Sequence, residues 1–217
     1  MSPLGAPDPH AAHEPQAPRK PQDPHAPHDP IPELQRLFAR AARDAPFDAT
    51  AATLATADTA GRPSARMVLV KQIEAAGLCF YTNYESRKGR ELEVNPWAAL
   101  CFHWPWIEEQ VRVEGPVERL SAAESDAYFA LRPRGSQLGA WASRQSLPMA
   151  SRAALLWSVL QLEGRHLARP VPRPPFWGGF RLVPDRIELW HGRPDRLHER
   201  RFFARTDAGW ILTRLYP

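Results

Sequence analysis

The sequence predicts a β-rich α+β domain, an antiparallel barrel with flanking helices, and three observations predict it. From residue 50 onward, short runs of strand character follow one another with turn residues between them. Stretches with helical spacing are grouped between blocks of strands and do not follow every strand, which argues against a doubly wound parallel sheet. No GxGxxG follows a strand and no GxxxxGK(S/T) occurs, so the phosphate loops of the common α/β nucleotide binders are missing. With 217 residues, 43% hydrophobic and 24% charged, the chain suffices for one sizeable core and is short for two.

Residues 1–30 stand apart. Proline takes 24 positions, about twice the roughly 5% of average usage, and ten of these precede Glu33. The tract mixes Pro, His, Ala and Asp without apolar periodicity, so a disordered or partly polyproline II tail is expected there and the folded domain over residues 31–217. His10, His13, His25 and His28 are irregularly spaced among prolines, which suits a solvated tail better than a metal site. At Pro32 the pattern changes: Leu34, Leu37, Phe38 and Ala41 recur at helical spacing behind a Pro-Glu first turn. Strands are then expected over residues 50–57, 64–71 and 78–83, the first two separated by the turn Asp58-Thr59-Ala60-Gly61. Ser86 is an N-cap for a short helix that Asn95-Pro96 ends. Two more strands follow over residues 98–104 and 110–120, the second alternating Val111, Val113 and Gly115 with Arg112 and Glu114. Ser121 with Glu124 three residues on is a capping-box pattern, opening a helical stretch that runs to about residue 168 and is interrupted at Arg132-Pro133. Beyond a stiff connector over residues 170–175, residues 177–190 and 200–215 return to strand character.

The composition excludes several function classes. No run approaches the ~20 apolar residues that span a bilayer, and the basic-then-apolar order of a secretory signal is absent, so a cytoplasmic protein without a membrane partner is expected. Cys79 and Cys101 each sit in an apolar, strand-like run and read as core thiols; with no paired cysteines and no HExxH, no metal site is expected. A net charge of +4 and a pI near 9.4 suggest an anionic partner, but the basic residues are dispersed, which fits small phosphates better than nucleic acid. Only Lys20, Lys71 and Lys88 among the 28 basic residues are lysine. Either composition left the two inner lysines by chance, or both positions need a compact ammonium in place of a guanidinium fork.

Four segments carry candidate chemistry. Ser86-Arg87-Lys88 offers two cations and free backbone N–H groups at a helix start, which serves a terminal phosphate or an ordinary solvated turn. In Arg66-Met67-Val68-Leu69-Val70-Lys71, alternation sends Arg66 and Lys71 to opposite faces. A strand at an interface or cleft would use both, whereas an ordinary half-buried strand would put one of them in the core. Tyr128, Arg132 and Ser136 stand at i, i+4 and i+8, so one helix face would present hydroxyl, guanidinium and hydroxyl to an anion, though an exposed polar helix end fits the spacing as well. The turn from Trp190 to Arg200 gathers an aromatic ring, histidines and arginines, either as a loop closing over a ligand ring or as a charged surface hairpin. Gly135-Ser136-Gln137 and Ala142-Ser143-Arg144 lack the setting of a nucleophile elbow, so a hydrolytic triad is unsupported.

At these residues the chain resembles the pyridoxamine 5'-phosphate oxidase family. The matching text is RMVLVK, FYTNYESRKGRELEVNP, QVRVEG, YFALRPRGSQLGAWASRQS, WGGFRL, IELWHGRPDRLHER and RLYP, in one order along residues 66–217. The resemblance implies an FMN-binding split β-barrel, an antiparallel Greek-key barrel working as a homodimer with flavin at the subunit interface. It implies FMN phosphate and ribityl contacts from Arg66, the Met67-Val68-Leu69-Val70-Lys71 strand, Arg87, Lys88 and Ser146 with Gln145 beside it. Tyr81, Thr82 and Gln110 would reach the flavin from neighbouring strands, with Trp190 and Arg200 from the last hairpin. Substrate phosphate would be gripped by Lys71, Tyr128, Arg132 and Ser136, while Arg196, Leu197 and His198 would lie over the pyridine ring, Arg196 and His198 as the catalytic pair. The implied reaction oxidises pyridoxine or pyridoxamine 5'-phosphate to pyridoxal 5'-phosphate by hydride transfer from C4' to N5 of FMN, with molecular oxygen as acceptor and hydrogen peroxide as product.

Two positions and one segment depart from the family pattern. Glu109 stands where members commonly carry arginine, His191 where they carry glutamine, and the Pro/His-rich tail offers no counterpart to the Arg-x-x-Tyr segment that covers substrate in some members. Two other readings compete: a phenazine-type flavin oxidoreductase on the same barrel, and a non-catalytic flavin or pyridoxal phosphate binding protein. Retention of Lys71, Tyr128, Arg132 and Ser136 speaks against the first, since a substrate without phosphate leaves cations unpaired in a closed site.

Overall fold

The computed structural model describes residues 29–43, 45–167 and 169–217, so nearly all of the tail expected over residues 1–30 lies outside the described residues. The described chain begins with Asp29, whose Oδ1 accepts from the Ile31 N–H at 3.0 Å and so caps α1 (Ile31–Arg43). Strands β1 (Ala51–Ala57), β2 (Pro63–Glu74) and β3 (Gly77–Asn83) form a meander, followed by α2 (Arg87–Val94), β4 (Trp97–Trp104) and β5 (Glu109–Arg119). Three helices come next, α3 (Ala122–Leu131), α4 (Arg134–Ala142) and α5 (Arg152–Arg165), and then β6 (Trp177–Leu182), β7 (Arg186–His191), β8 (Glu199–Thr206) and β9 (Gly209–Leu215).

Period-two alternation decides what goes inside. In β1, Ala52, Leu54 and Thr56 are buried while Ala51, Thr53, Ala55 and Ala57 stay half-exposed. The neighbour order β1-β2-β3-β6-β5-β4, with β4 returning to β1, closes an antiparallel barrel that leaves no edge. β5 makes the closure possible by dividing one of its edges. It pairs with β7 over residues 109–114 and with β6 over residues 117–119, while β4 follows its other edge. The chain crossing from β6 to β7 passes so close at the division that a Cβ on Gly115 would lie 2.0 Å from the Val183 carbonyl oxygen, which is why glycine stands there. β7, β8 and β9 then extend the sheet away from the barrel.

The barrel is filled by Leu54, Leu78, Phe80, Leu100, Phe102, Trp104, Val111, Val113 and Leu182, all fully buried. Helix α1 lays Leu34, Leu37 and Ala41 on this core, and the Phe38 ring meets Phe102 and Trp104 edge-on at 5.9 and 5.7 Å. A second, smaller core joins the helices to the sheet through Phe129, Leu138, Val171 and Trp177. No described helix is long and apolar enough to cross a membrane.

The expected caps form as read. Ser86 accepts from the Gly89 N–H, and Ser121 and Glu124 make the reciprocal capping box. The shared helix face drawn through Tyr128, Arg132 and Ser136 does not form. Arg132, which precedes Pro133, is extended at φ −71° and ψ 145°, so two helices meet where one was drawn. Large apolar side chains remain uncovered on the single chain: Met67 and Leu69 on β2, and Leu156, Trp157 and Leu160 on α5, a helix that buries none of its residues. Such patches mark a surface that another protein covers.

Candidate functional site

The candidate residues fall into two groups at separate places in the fold. The first is built where α2 starts beside the barrel. The α2 backbone comes so near Tyr84 that a Cβ on Gly89 would lie 2.0 Å from its carbonyl oxygen, so a glycine here seats Lys88 against the sheet. Lys88 is buried, and its ammonium donates to Thr82 Oγ1 at 3.0 Å, Ser86 Oγ at 3.3 Å and Gln145 Oε1 at 3.0 Å. Burial, with the nearby Arg66 charge, lowers its pKa to about 8. Arg66 comes from β2 and Arg87 from the first turn of α2, and both turn to one buried carboxylate, Glu91, at 3.2 and 2.8 Å.

Beside this group lies a cavity of about 320 Å³ lined by Tyr81, Thr82, Asn83, Arg132, Ser136, Ser143, Gln145 and Trp177. The Arg132 guanidinium lies over the Trp177 ring at 4.6 Å, and its Nη1 is buried without a hydrogen-bond partner. A buried, unpaired guanidinium nitrogen on a residue that lines a polar cavity fits a site that takes an anion. Tyr128 stacks on Tyr81 with ring centroids 3.7 Å apart, closing the apolar side. Ser146 follows Gln145 in the left-handed region at φ 71° and is exposed. Thus the break at Pro133 still brings Arg132 and Ser136 to one cavity. Lys71 does not join them in the single chain: it lines a second cavity of about 210 Å³ against Gln35 and Phe38 of α1, 3.9 Å from the Asp48 carboxylate. Met67 and Leu69 face outward, while Val68 and Val70 face the core.

The second group follows from strand register. Gln110 pairs with Trp190 and Trp190 with Arg200, so three candidates from β5, β7 and β8 form one cross-strand row on one face. Arg200 is held by Glu188, which is almost fully buried and also binds Arg112, at 2.8 and 2.5 Å. The Trp190 ring meets His198 at 4.6 Å, and His198 Nδ1 accepts from the Arg193 N–H at 3.2 Å, leaving the neutral ring's proton on Nε2. In the loop between, Asp195 and Arg196 are both left-handed at φ 56° and 60°, and Arg196 and Leu197 are exposed. Among the described residues Arg196 makes no hydrogen bond or ion pair. Two consecutive non-glycine residues in that region are strained, and such strain gathers where side chains are aimed for function.

The two departures, Glu109 and His191, turn out to be partners. They are paired across β5 and β7, His191 Nδ1 lies 3.0 Å from Glu109 Oε1, and Arg40 of α1 donates to the same oxygen at 2.6 Å. Sequence reasoning passed over Glu91, Glu188, Asp48, Trp177 and Arg40. Of these only Glu91 left a local signal, its i,i+4 spacing from Arg87.

Comparison with known proteins bears on most of the chain. Residues 38–166 match the family model described as pyridoxamine 5'-phosphate oxidase, and residues 177–217 the model of the pyridoxine 5'-phosphate oxidase C-terminal dimerisation region. A pyridoxine/pyridoxamine 5'-phosphate oxidase of Myxococcus xanthus is 54% identical over 187 residues, 86% of this chain and 91% of the relative. One from Anaeromyxobacter dehalogenans is 58% identical over 179 residues, covering 82% and 90%. Among solved structures, PhzG from Burkholderia lata in complex with tetrahydrophenazine-1-carboxylic acid superposes with a TM-score of 0.84 at 34% identity, over 89% of this chain and 95% of that one. An FMN-binding protein of Nostoc punctiforme related to pyridoxamine 5'-phosphate oxidase shares the fold, with a TM-score of 0.71 at 19% identity over 88% and 99%.

Proposed function

The chain belongs to the pyridoxamine 5'-phosphate oxidase family, and from that premise we propose that a homodimer of it binds FMN and oxidises pyridoxine or pyridoxamine 5'-phosphate to pyridoxal 5'-phosphate, passing the electrons to oxygen. The observation that carries the reading is Arg132, whose buried Nη1 has no partner in a cavity that also holds Ser136, Thr82 and Gln145. A phosphate oxygen supplies the missing acceptor. The residues present fit the cofactor as well. Lys88 is a buried cation whose hydrogen bonds go only to neutral oxygens, so no carboxylate in contact with it competes with a phosphate. The cavity of about 320 Å³ sits at the lower end of the roughly 300–1,000 Å³ of ligand sites, so one chain offers part of a site that must hold cofactor and substrate together. The remainder is the row Gln110, Trp190 and Arg200 with Arg196 and His198, contributed by the second copy; all of these but Gln110 lie in the part of the chain that matches the dimerisation region.

Bound FMN supplies the hydride acceptor and the route to oxygen. The protein's own residues do the rest. Arg132, Ser136 and Tyr128 hold the substrate phosphate and so fix the ring's position, and Lys71, which lines a separate cavity in the single chain, joins them only across the homodimer. Arg196 stabilises charge developing at the ring; His198, oriented by the Arg193 N–H, keeps Trp190 and the loop in place. The carboxylate of a phenazine-type substrate can also accept from Arg132 Nη1, so the orphaned donor does not separate the two readings; the 54% and 58% identity to pyridoxine/pyridoxamine 5'-phosphate oxidases, against 34% to PhzG, favours the phosphate substrate. The deciding experiment mixes FMN-loaded protein with pyridoxine 5'-phosphate under anaerobic conditions. Bleaching of the flavin absorption and its return in air support the proposal. Flavin that stays oxidised with both pyridoxine and pyridoxamine phosphates removes the substrate assignment.

Lys88 sets a pH dependence for cofactor binding. A bound phosphate dianion favours the charged amine, so below its free pKa of about 8 the amine is ready, and above it binding must take up a proton. FMN affinity is therefore expected to fall as pH rises through 8, by up to about tenfold per unit, and to fall again below about pH 6 as the phosphate protonates. Flavin-fluorescence titrations from pH 5.5 to 9.5 check this, and a flat profile across pH 8 would remove Lys88 from the phosphate site.

A further inference from the structure

We propose that Glu91 is a positioning residue for the cofactor phosphate: its carboxylate gathers Arg66 and Arg87 from two different elements and holds their guanidinium groups in the arrangement that receives the phosphate. This rests on the cofactor reading above and adds to it a residue that carries the wrong charge for an anion site. Glu91 lies on α2 with only 6% of its surface exposed. Its Oε2 accepts from Thr56 Oγ1 at 2.5 Å, Ser64 Oγ at 2.6 Å and Arg66 Nη2 at 3.2 Å, and its Oε1 accepts from Arg87 Nε at 2.8 Å. Thr56 belongs to β1, Ser64 and Arg66 to β2, and Arg87 to α2, so the carboxylate ties three elements together at one point. Arg66 is held from a second side, through Nη1 to Thr56 Oγ1 at 2.5 Å and through Nη2 to Ser64 Oγ.

Burial by itself would raise the pKa of Glu91, but the hydrogen bonds from Ser64, Thr56 and Arg87 and the Arg66 charge outweigh it and hold the carboxyl at about 2. Glu91 is thus a permanent anion beside cations meant for another anion. Charge alone makes it a competitor of the phosphate, and geometry makes it an organiser. A guanidinium has five donors: Arg66 gives four to Leu54 O, Thr56, Ser64 and Glu91 and keeps Nε–H, while Arg87 gives only Nε–H to Glu91 and keeps both Nη groups, so each retains a donor for an anion with fewer rotamers to lose on binding.

The two roles predict opposite signs for Glu91→Gln. The amide removes a negative charge, which tightens phosphate binding if charge is what matters. It also sets an NH2 group against the donors of Arg66 or Arg87, which loosens the arginines. The test titrates the full-length apoprotein with FMN and with riboflavin, which lacks the phosphate. In E91Q, FMN affinity is expected to fall about tenfold with riboflavin affinity unchanged, and the loss is expected to shrink in an Arg66→Met background, where only Arg87 is left to be positioned. Ser64→Ala, which removes a bond to both Glu91 and Arg66 yet keeps all charges, is expected to weaken FMN in the same direction by a smaller factor. FMN bound by E91Q as tightly as by the parent, or more tightly, overturns the proposal, as does an equal loss for riboflavin, which is the signature of a merely structural role. If E91Q does not fold, unchanged FMN affinity in S64A overturns it. A parent protein that binds FMN no better than riboflavin removes the phosphate site itself and this role with it.

Discussion

Arg196→Leu is expected to lower kcat by about 10²–10³-fold while the protein keeps its flavin. The physical reason lies in the loop between β7 and β8. Asp195 and Arg196 are held at φ 56° and 60°, an arrangement that costs about 1–3 kcal/mol per residue, and Arg196 is exposed. Since the side chain has no hydrogen bond or ion pair among the described residues, removing it leaves no buried group unsatisfied and the fold should be unchanged. What is lost is a cation that acts on charge developing in the transition state, so kcat should fall more than KM rises. Rapid-mixing reduction of the bound flavin by pyridoxine 5'-phosphate measures that step directly. If Arg196→Leu instead releases the flavin, the residue belongs to cofactor binding and the role given to it here is wrong.

The second large effect is gained by mixing two inactive proteins. Lys88→Met should abolish cofactor binding at the α2 group and Arg196→Leu should disable the hairpin group. Alone, each homodimer has two damaged sites. If a working site takes its α2 group from one copy and its hairpin from the other, a mixed dimer has one intact site and one carrying both lesions. Dissociating and reassociating equal amounts should then restore about a quarter of the parent activity, since about half the dimers are mixed and each has one of two sites. If both groups serve one site within a single chain, no activity returns, because every site keeps one lesion. The uncovered Met67 and Leu69 on β2 and Trp157 on α5 supply the apolar surface such a pairing needs.

Much of the barrel was legible because its determinants are local. Ser86 and Ser121 announced their helices through bonds that span three residues, and alternation in β2 put Met67 and Leu69 on the face opposite Val70, with the structure deciding which face lies inside. The break at Arg132-Pro133 was also visible, yet its consequence was not. Sequence spacing put Tyr128, Arg132 and Ser136 on one helix face, whereas an extended Arg132 swings the guanidinium onto Trp177, 45 positions later in the chain. Where Lys71 sits in the single chain was not legible for a related reason. A register shift between Val70 and Gln72 in the β2–β3 pairing gives this end of the strand its own geometry, and Lys71 lines a cavity against α1.

The sequence by itself determined the order of elements, their caps, the faces of the strands and the residue types gathered in two candidate groups, because each depends on interactions within a few residues. Only the tertiary structure decided which groups meet. Glu91 reaches Thr56 across 35 positions, Arg40 reaches Glu109 across 69 and His191 reaches Glu109 across 82. Spacing cannot report such pairs, since nothing in the local chain constrains their distance. Barrel closure sets it, through the division of β5 between β6 and β7 and the docking of α1 and α2 on the finished sheet.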